Sequence, residues 1–337
     1  MNLGKARQIL TAKEIFDLIH DDLVEVERKL SAESIASVDT VTAIGQYLHS
    51  AGGKRLRPAL LILAARVASA DSARQPTAAI HLGAVVELIH AATLVHDDVI
   101  DAAQTRRGRP SSNVKWGNHT CVLAGDWLYM QAFQIALRER DFQTLDLLIG
   151  LTQIMVEGEL LQLDRIGHID VTEADCMELV DRKTARLFSV CARLGVITAA
   201  GGAALQYRLG EYAWNLGMAF QLVDDVLDFT AREKTLGKPV GGDLREGKVT
   251  LPLVYALEHA TPAEHSLVRT VLEERSYATV PFARILELLE KYRAIQRVGE
   301  RAQAFTSKAR MVIDEFPDSP CQRALVAVTG LVTERDH

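Results

Sequence analysis

An all-α fold follows from three features of the sequence: helical periodicity along almost the whole chain, no strand-like alternation, and few helix breakers. Apolar residues recur at three- and four-residue spacing through 11–30, 58–69, 76–102, 120–138, 142–163, 172–200 and 204–229. The same spacing returns in 249–259, 263–275, 281–313 and 319–333. No run of alternating β-branched residues is bounded by turn signals, so strands are minor. The 337 residues include only 9 prolines and 22 glycines. With 48% hydrophobic and 24% charged residues, the chain has enough apolar material for one large domain, read here as 1–337 with antiparallel helices.

Taken in order, 11–30 is an amphipathic start, and 58–69 opens with Pro58, a residue suited to the first helical turn. The stretch 76–102 is apolar nearly all round (Ile80, Val85, Leu88, Ile89, Ala92, Leu94, Val95). A helix of that kind is normally central and surrounded by others. Aromatics are only 6% of the chain, and frequent small residues suit closely packed helices. Two polar stretches interrupt the helices: AAQTRRGRPSSNVKWGN at 103–119 and TAREKTLGKPVGGDLREGK at 230–248. Each is rich in basic residues and directly follows an acidic cluster, so both read as functional loops rather than linkers. No repeat of fixed period emerges.

Charge and cysteine usage exclude several classes. Lys plus Arg number 38 against 44 Asp plus Glu, a net charge of −6. Nucleic-acid binders usually carry the opposite bias, so no nucleic-acid partner is expected. Cys121, Cys176, Cys191 and Cys321 form no CxxC pair, which argues against a disulfide framework or zinc knuckle and for a reducing cytoplasm. No uncharged apolar stretch reaches about 18 residues, so no stable membrane insertion is expected. The start, MNLGKARQILTAKEIFDLIHDD, turns acidic before an apolar core develops and is not read as a signal peptide.

The chemistry concentrates in two acidic clusters. HDDVID supplies Asp97, Asp98 and Asp101; QLVDDVLDF supplies Asp224, Asp225 and Asp228, the same D-D-x-x-D spacing 127 residues later. Carboxylates four apart share a helix face and repel. Both clusters also sit in apolar surroundings, where unpaired carboxylates are costly and a cation resolves the conflict. Oxygen-only ligation suits Mg²⁺, which binds one or two carboxylates per ion and completes its shell with water and phosphate. Basic loops accompany the acids: Lys54, Arg55 and Arg57 in GGKRLRP, Arg106, Arg107 and Arg109 in TRRGRP, and Lys238, Arg245 and Lys248 in KPVGGDLREGK. Arginine forks and lysines beside glycines suit phosphate groups, so the expected substrate carries a diphosphate. GDLREGKV resembles a P-loop only superficially, because Val249 replaces the Ser/Thr that would hold Mg²⁺. Glu159 and Gln162 share a helical face in EGELLQL, which fits either the site or an ordinary polar stripe. His96 reads as a core histidine.

Together these motifs resemble those of the trans-isoprenyl diphosphate synthases, the polyprenyl synthetase family, over roughly residues 15–330. GGKRLRP (52–58), ELIHAATLVHDDVID (87–101), RRGRP (106–110), DRKTARLF (181–188), AFQLVDDVLDF (219–229) and GKPVGGDLREGKVTLP (237–252) follow one another as in that family. The resemblance implies helices around a deep central cavity, a homodimer, and head-to-tail condensation of isopentenyl diphosphate with an allylic diphosphate such as farnesyl diphosphate. It implies that all six aspartates bind about three Mg²⁺ gripping the allylic diphosphate. Lys54, Arg57, His90 and Arg107 would hold isopentenyl diphosphate. Arg106, Lys183, Thr184, Gln221, Lys238 and Lys248 would contact the allylic diphosphate, with Lys183 and Lys238 stabilising the leaving group. In similar short-chain enzymes a bulky aromatic upstream of the first acids blocks product growth. Ala92 and Thr93 are small, so the tail is expected to pass them, with Met130 and Phe133 as candidate floor residues and a product of C30–C50. A floor elsewhere would instead give geranylgeranyl diphosphate. A class I terpene cyclase fits poorly, because such enzymes normally lack GGKRLRP and the second aspartate cluster. A non-catalytic subunit would be expected to carry damaged aspartate motifs. The 230–248 loop is expected to close over diphosphate.

Overall fold

The computed structural model describes residues 10–50, 52–53, 55–69, 77–231 and 240–333. Lys54 and Lys238 lie outside them, as do residues 232–239 of the 230–248 loop expected to close. Helices form where the periodicity places them, with caps that the sequence carries. Segment 11–30 divides at Ile19 into α1 (Ala12–Leu18) and α2 (His20–Glu33). Thr11 caps α1 reciprocally with Glu14. A further helix, α3 (Asp39–Ser50), was not evident from the sequence, where threonine, glycine and serine blur its apolar stripe. Helix α4 (Leu56–Ala68) follows Arg55, which takes the left-handed conformation.

Helix α5 (Thr77–Ile100) is the centre of the molecule, packed against α2, α4, α7 (Asn118–Arg138) and α10 (Arg186–Thr198). Its mean hydropathy of 1.7 over an 18-residue window would suit a membrane span. However, 72% of that window is buried inside the protein, which is the all-round apolar core helix read from the sequence. Helix α8 (Phe142–Arg165) leads to α9 (Glu173–Val180), a π-helical turn at Asp181–Ala185, and α10. Helix α11 (Ala203–Thr230) packs along α10 and α16 (Ala294–Asp314). Small residues permit these close approaches: a Cβ on Gly195 would lie 2.2 Å from the Leu61 carbonyl oxygen.

The remaining elements are α12 (Gly242–Arg245), α13 (Leu251–Leu257), α14 (Pro262–Glu274), α15 (Phe282–Lys291) and α17 (Pro320–Thr333). Segment 281–313 breaks between α15 and α16 at Arg293, whose φ is 51°. Helix α17 packs against α1 and α4, bringing the first and last described helices together. The 103–119 stretch is more ordered than a polar loop. Thr105–Arg106 pairs antiparallel with Arg109–Pro110 around Arg107 and Gly108, and α6 (Ser112–Trp116) follows. Positive φ at both turn residues (53° and 72°) is the turn chemistry that a two-residue hairpin prefers.

Candidate active site

A cavity of about 640 Å³ opens between α5, α8, the α9–α10 segment, α11 and α12. On α5 and the turn that ends it the cavity face is His90, Thr93, Leu94, Asp97 and Asp101, with the spacing that one helical face requires. On α11 it is Phe220, Gln221, Asp224 and Asp225. Arg57, Arg106, Arg107, Lys183, Thr184 and Lys248 also line it. Sequence motifs up to about 190 residues apart therefore meet in one chamber.

The six aspartates do not all face it. Asp98 is fully buried and turned toward the hairpin: its carboxylate accepts from Arg106 Nε at 2.5 Å and from the Ser112 backbone N–H at 2.9 Å. Asp228 is likewise buried; its Oδ2 accepts the Asp243 N–H at 3.1 Å, and its carbonyl accepts from Gly241 N at 2.7 Å. These two carboxylates anchor the loops that follow their helices, which corrects the expectation that all six open toward metal.

The cavity carboxylates are held under electrostatic stress. Burial pushes Asp97 up to about 6, against the pull of Lys183, with Glu159 and Asp101 adding to the rise. Burial also drives Asp225 well above the usual carboxylate range, with Asp243 reinforcing it. Among the described residues no three His, Cys, Asp or Glu side chains converge into a protein-only metal cage. Carboxylates in pairs, facing shared space and penalised for their charge, fit Mg²⁺ completed by water and phosphate oxygens.

The π-helical turn explains how Lys183 and Thr184 reach the chamber. Its extra residue per turn is pinned by Asp181, which accepts from Trp214 Nε1 at 2.5 Å and from Arg186. Lys183 Nζ contacts Glu159 at 2.7 Å and Gln162 at 3.0 Å. The polar face of α8 therefore belongs to the site. Thr184 Oγ1 donates to Gln221 Oε1 at 2.8 Å, and Gln221 Nε2 donates to Asp225 at 3.0 Å. Lys248 Nζ bridges Asp101 at 2.9 Å and Glu246 at 2.8 Å. Burial lowers its pKa, but Glu246, Asp101 and Asp243 outweigh that and keep it raised.

A side pocket of about 300 Å³ adjoins the chamber, lined by His49, Gly53, Arg55, Arg57, Glu87, His90 and Arg107 among others. Arg57 is the innermost cation. Burial also pulls His90 well below its usual range, and Arg57 and Arg107 add to the effect, so its imidazole is neutral. The left-handed Arg107 brings its guanidinium back to the Gly52 carbonyl. Arg165, Glu87 and His49 were not singled out from sequence, because each sits in a helix whose pattern an ordinary amphipathic or buried helix also explains.

The expected chain-length wall needs correction. Thr93 lines the chamber, but Ala92 does not: it is fully buried, one residue round α5 from the cavity face. Met130 stands 62% exposed on the outer side of α7, and Phe133 packs against the core without lining the chamber.

Comparison with known proteins agrees with this chemistry. The Polyprenyl synthetase family model matches residues 38–289. An octaprenyl diphosphate synthase of Haemophilus influenzae is 34% identical over 333 residues, 99% of this chain and 100% of the relative. A geranylgeranyl diphosphate synthase of Saccharolobus solfataricus is 35% identical over 280 residues, 81% of this chain and 83% of the relative. A polyprenyl synthase from Caulobacter crescentus, solved with calcium and isoprenyl diphosphate, superposes with a TM-score of 0.91 at 33% identity, covering 98% of this chain and 99% of that one. With this fold and this family match, the chain belongs to the polyprenyl synthetase family and is a trans-prenyltransferase of the isoprenoid synthase fold.

Proposed function

We propose that the protein condenses isopentenyl diphosphate head-to-tail with an allylic diphosphate, farnesyl diphosphate being the expected primer. The product would be an all-trans C30–C50 diphosphate, octaprenyl near the centre, supplying a quinone side chain in the cytoplasm. The observation that carries this reading is one cavity with two different anion-handling regions. Asp97, Asp101, Asp224 and Asp225 with Lys183 and Lys248 form one; the Arg57–His90–Arg107 side pocket forms the other.

Asp97 and Asp101 on α5 and Asp224 and Asp225 on α11 would hold about three Mg²⁺. Held by these carboxylates, the metal would supply positive charge to offset the negative charge developing on the departing allylic diphosphate. Lys183 and Lys248 would release their present carboxylate partners, and Arg106, its Nε still held by Asp98, would turn its other guanidinium nitrogens to the same oxygens, stabilising negative charge as the carbon–oxygen bond breaks. Lys54 and Lys238, outside the described residues, keep the phosphate-binding roles that their motifs imply. The allylic cation needs a dry chamber, and Leu94, Met155, Val180, Leu187 and Phe220 supply apolar walls. The double bond of isopentenyl diphosphate, its diphosphate held by Arg57, His90 and Arg107, then attacks. The released diphosphate, which no protein base replaces in this reading, takes the proton.

Thr93, small and one turn below Asp97, supports passage of a long tail. Exposed apolar side chains on α7 and α8, including Leu123, Met130, Phe142 and Val156, suit a homodimer contact. The test is incubation with farnesyl diphosphate, excess isopentenyl diphosphate and Mg²⁺, with products read by mass spectrometry. A ladder ending at one length of C30 or longer supports the reading. A stop at C20 would make it a geranylgeranyl diphosphate synthase, and no elongation from any allylic primer would overturn the catalytic reading.

A further inference from the structure

The three basic residues of GGKRLRP do not all act alike. Arg57 lines both the side pocket and the main chamber, and no partner for its Nε is found among the described residues. Arg55, two positions earlier, is consumed by protein carboxylates. Its Nη1 donates to Glu87 Oε2 at 2.9 Å, its Nη2 donates to Glu27 Oε2 at 3.2 Å, and its Nε donates to Glu27 Oε1. Glu27 belongs to α2 and Glu87 to α5, so one guanidinium ties together two helices and the turn that opens α4. That turn is strained: Arg55 has φ 44° and ψ 36°, a left-handed conformation costing a non-glycine residue about 1 kcal/mol. Glu87 is only 6% exposed and lines the side pocket with Arg57, His90 and Arg107. Its charge helps to keep buried Arg57 cationic, against the downward push of burial.

We propose that Arg55, held by Glu27 and Glu87, is a positioning residue: the clamp fixes the left-handed turn before α4 and thereby aims Arg57 at the isopentenyl diphosphate. Arg55 itself is not a phosphate ligand. This rests on reading the side pocket as the isopentenyl diphosphate site.

The clamp and a simple charge effect predict opposite signs. If Arg55 and its acids acted only through charge, neutralising Glu87 or Glu27 would make the pocket more positive and tighten diphosphate binding. If they act as a clamp, the same change frees the turn and weakens binding, because pre-organisation of the donors is lost. The experiment is steady-state kinetics on Glu27→Gln, Glu87→Gln and Arg55→Gln, with Arg57→Gln as the control for the pocket. The expected result is a KM for isopentenyl diphosphate raised about 5–10-fold in Glu87→Gln and Arg55→Gln, equivalent to about 1–1.4 kcal/mol. Glu27→Gln should show a smaller rise, with kcat and the allylic KM of the Glu27, Glu87 and Arg55 variants changing less than the KM for isopentenyl diphosphate. Arg55→Gly, which favours the left-handed turn, should recover part of the loss shown by Arg55→Gln. Lowered or unchanged KM in the two acid variants, with Arg57→Gln still raising it, overturns the clamp alone. No effect in Arg57→Gln overturns the pocket reading itself. Should Glu87→Gln fail to fold, Glu27→Gln, on the half-exposed carboxylate, decides the sign.

Discussion

The two aspartate clusters have the same spacing but divide their labour differently. On α5 the first and third carboxylates, Asp97 and Asp101, face the cavity, and the middle one, Asp98, is turned to the hairpin. On α11 the first and second, Asp224 and Asp225, face it, and the third, Asp228, holds the turn at Gly241–Asp243. The choice follows from what packs around each helix. The strand–turn–strand after α5 returns beside Asp98 and offers Arg106 and the Ser112 N–H. The chain after α11 returns beside Asp228 and offers backbone donors at Gly241 and Asp243. In both clusters two carboxylates are left to the chamber and one is spent on the basic loop that follows its helix. Spacing alone identifies a cluster; the return path of the next segment decides which member anchors.

The largest expected effect separates a cavity aspartate from an anchor. Asp97→Asn or Asp224→Asn is expected to cut turnover about 10²–10³-fold or more while the protein stays folded. Activity assays beside thermal melts check this. Asp97→Asn should also raise the melting temperature of the metal-free protein by a few degrees at pH 8, because it removes a carboxylate whose ionisation burial opposes. Asp98→Asn goes the other way. It breaks a buried charge pair and is expected to cost on the order of 2–3 kcal/mol, read as a fall of several degrees.

Proton linkage sharpens the same contrast. Burial holds folded Asp97 at about 6, above its ordinary 3.8. The folded metal-free protein therefore binds more protons between those values than the unfolded chain. The resulting stabilisation is full below about 3.8 and is lost as pH rises through 6. Mg²⁺ needs the ionised form, so its stabilising effect should be largest near pH 8 and shrink as pH falls through 6. Melts with and without Mg²⁺ across that range read it directly. An unchanged Mg²⁺ effect at pH 5 would remove Asp97 from the metal set.

The smallest effect concerns the tail. Thr93→Phe places a ring in the chamber about 6 Å below Asp97 and should shorten the product toward C20 or less. Ala92→Phe should leave product length unchanged and destabilise the protein by about 1–3 kcal/mol through overpacking. Product analysis of the two variants, side by side, distinguishes wall from packing.

Much of this was legible in the sequence because strong periods and punctuated motifs report directly on structure. The all-round apolar run 76–102 is the core helix α5. Described residues of the motifs between Arg57 and Lys248 line one cavity, as expected from the sequence for a shared centre. The π-helical turn at Asp181–Ala185 left no trace in the pattern, since one extra residue does not disturb an amphipathic stripe read over four turns. Ala92 and Thr93 looked equivalent because both are small. They lie about 100° apart round the helix, and only the neighbours of α5 decide which of them meets the cavity. The fate of Asp98, Asp228 and Arg55 depended on contacts from segments distant in the chain, which spacing within a motif does not encode.

The most direct test of this division of labour is the thermal shift produced by Mg²⁺ with inorganic diphosphate in the wild-type, Asp97→Asn and Asp98→Asn proteins. The expected result is that Asp97→Asn largely loses the shift from a normal or raised baseline, whereas Asp98→Asn keeps it from a lowered one. A normal baseline with no shift in Asp98→Asn would contradict the account and make Asp98 a metal ligand after all.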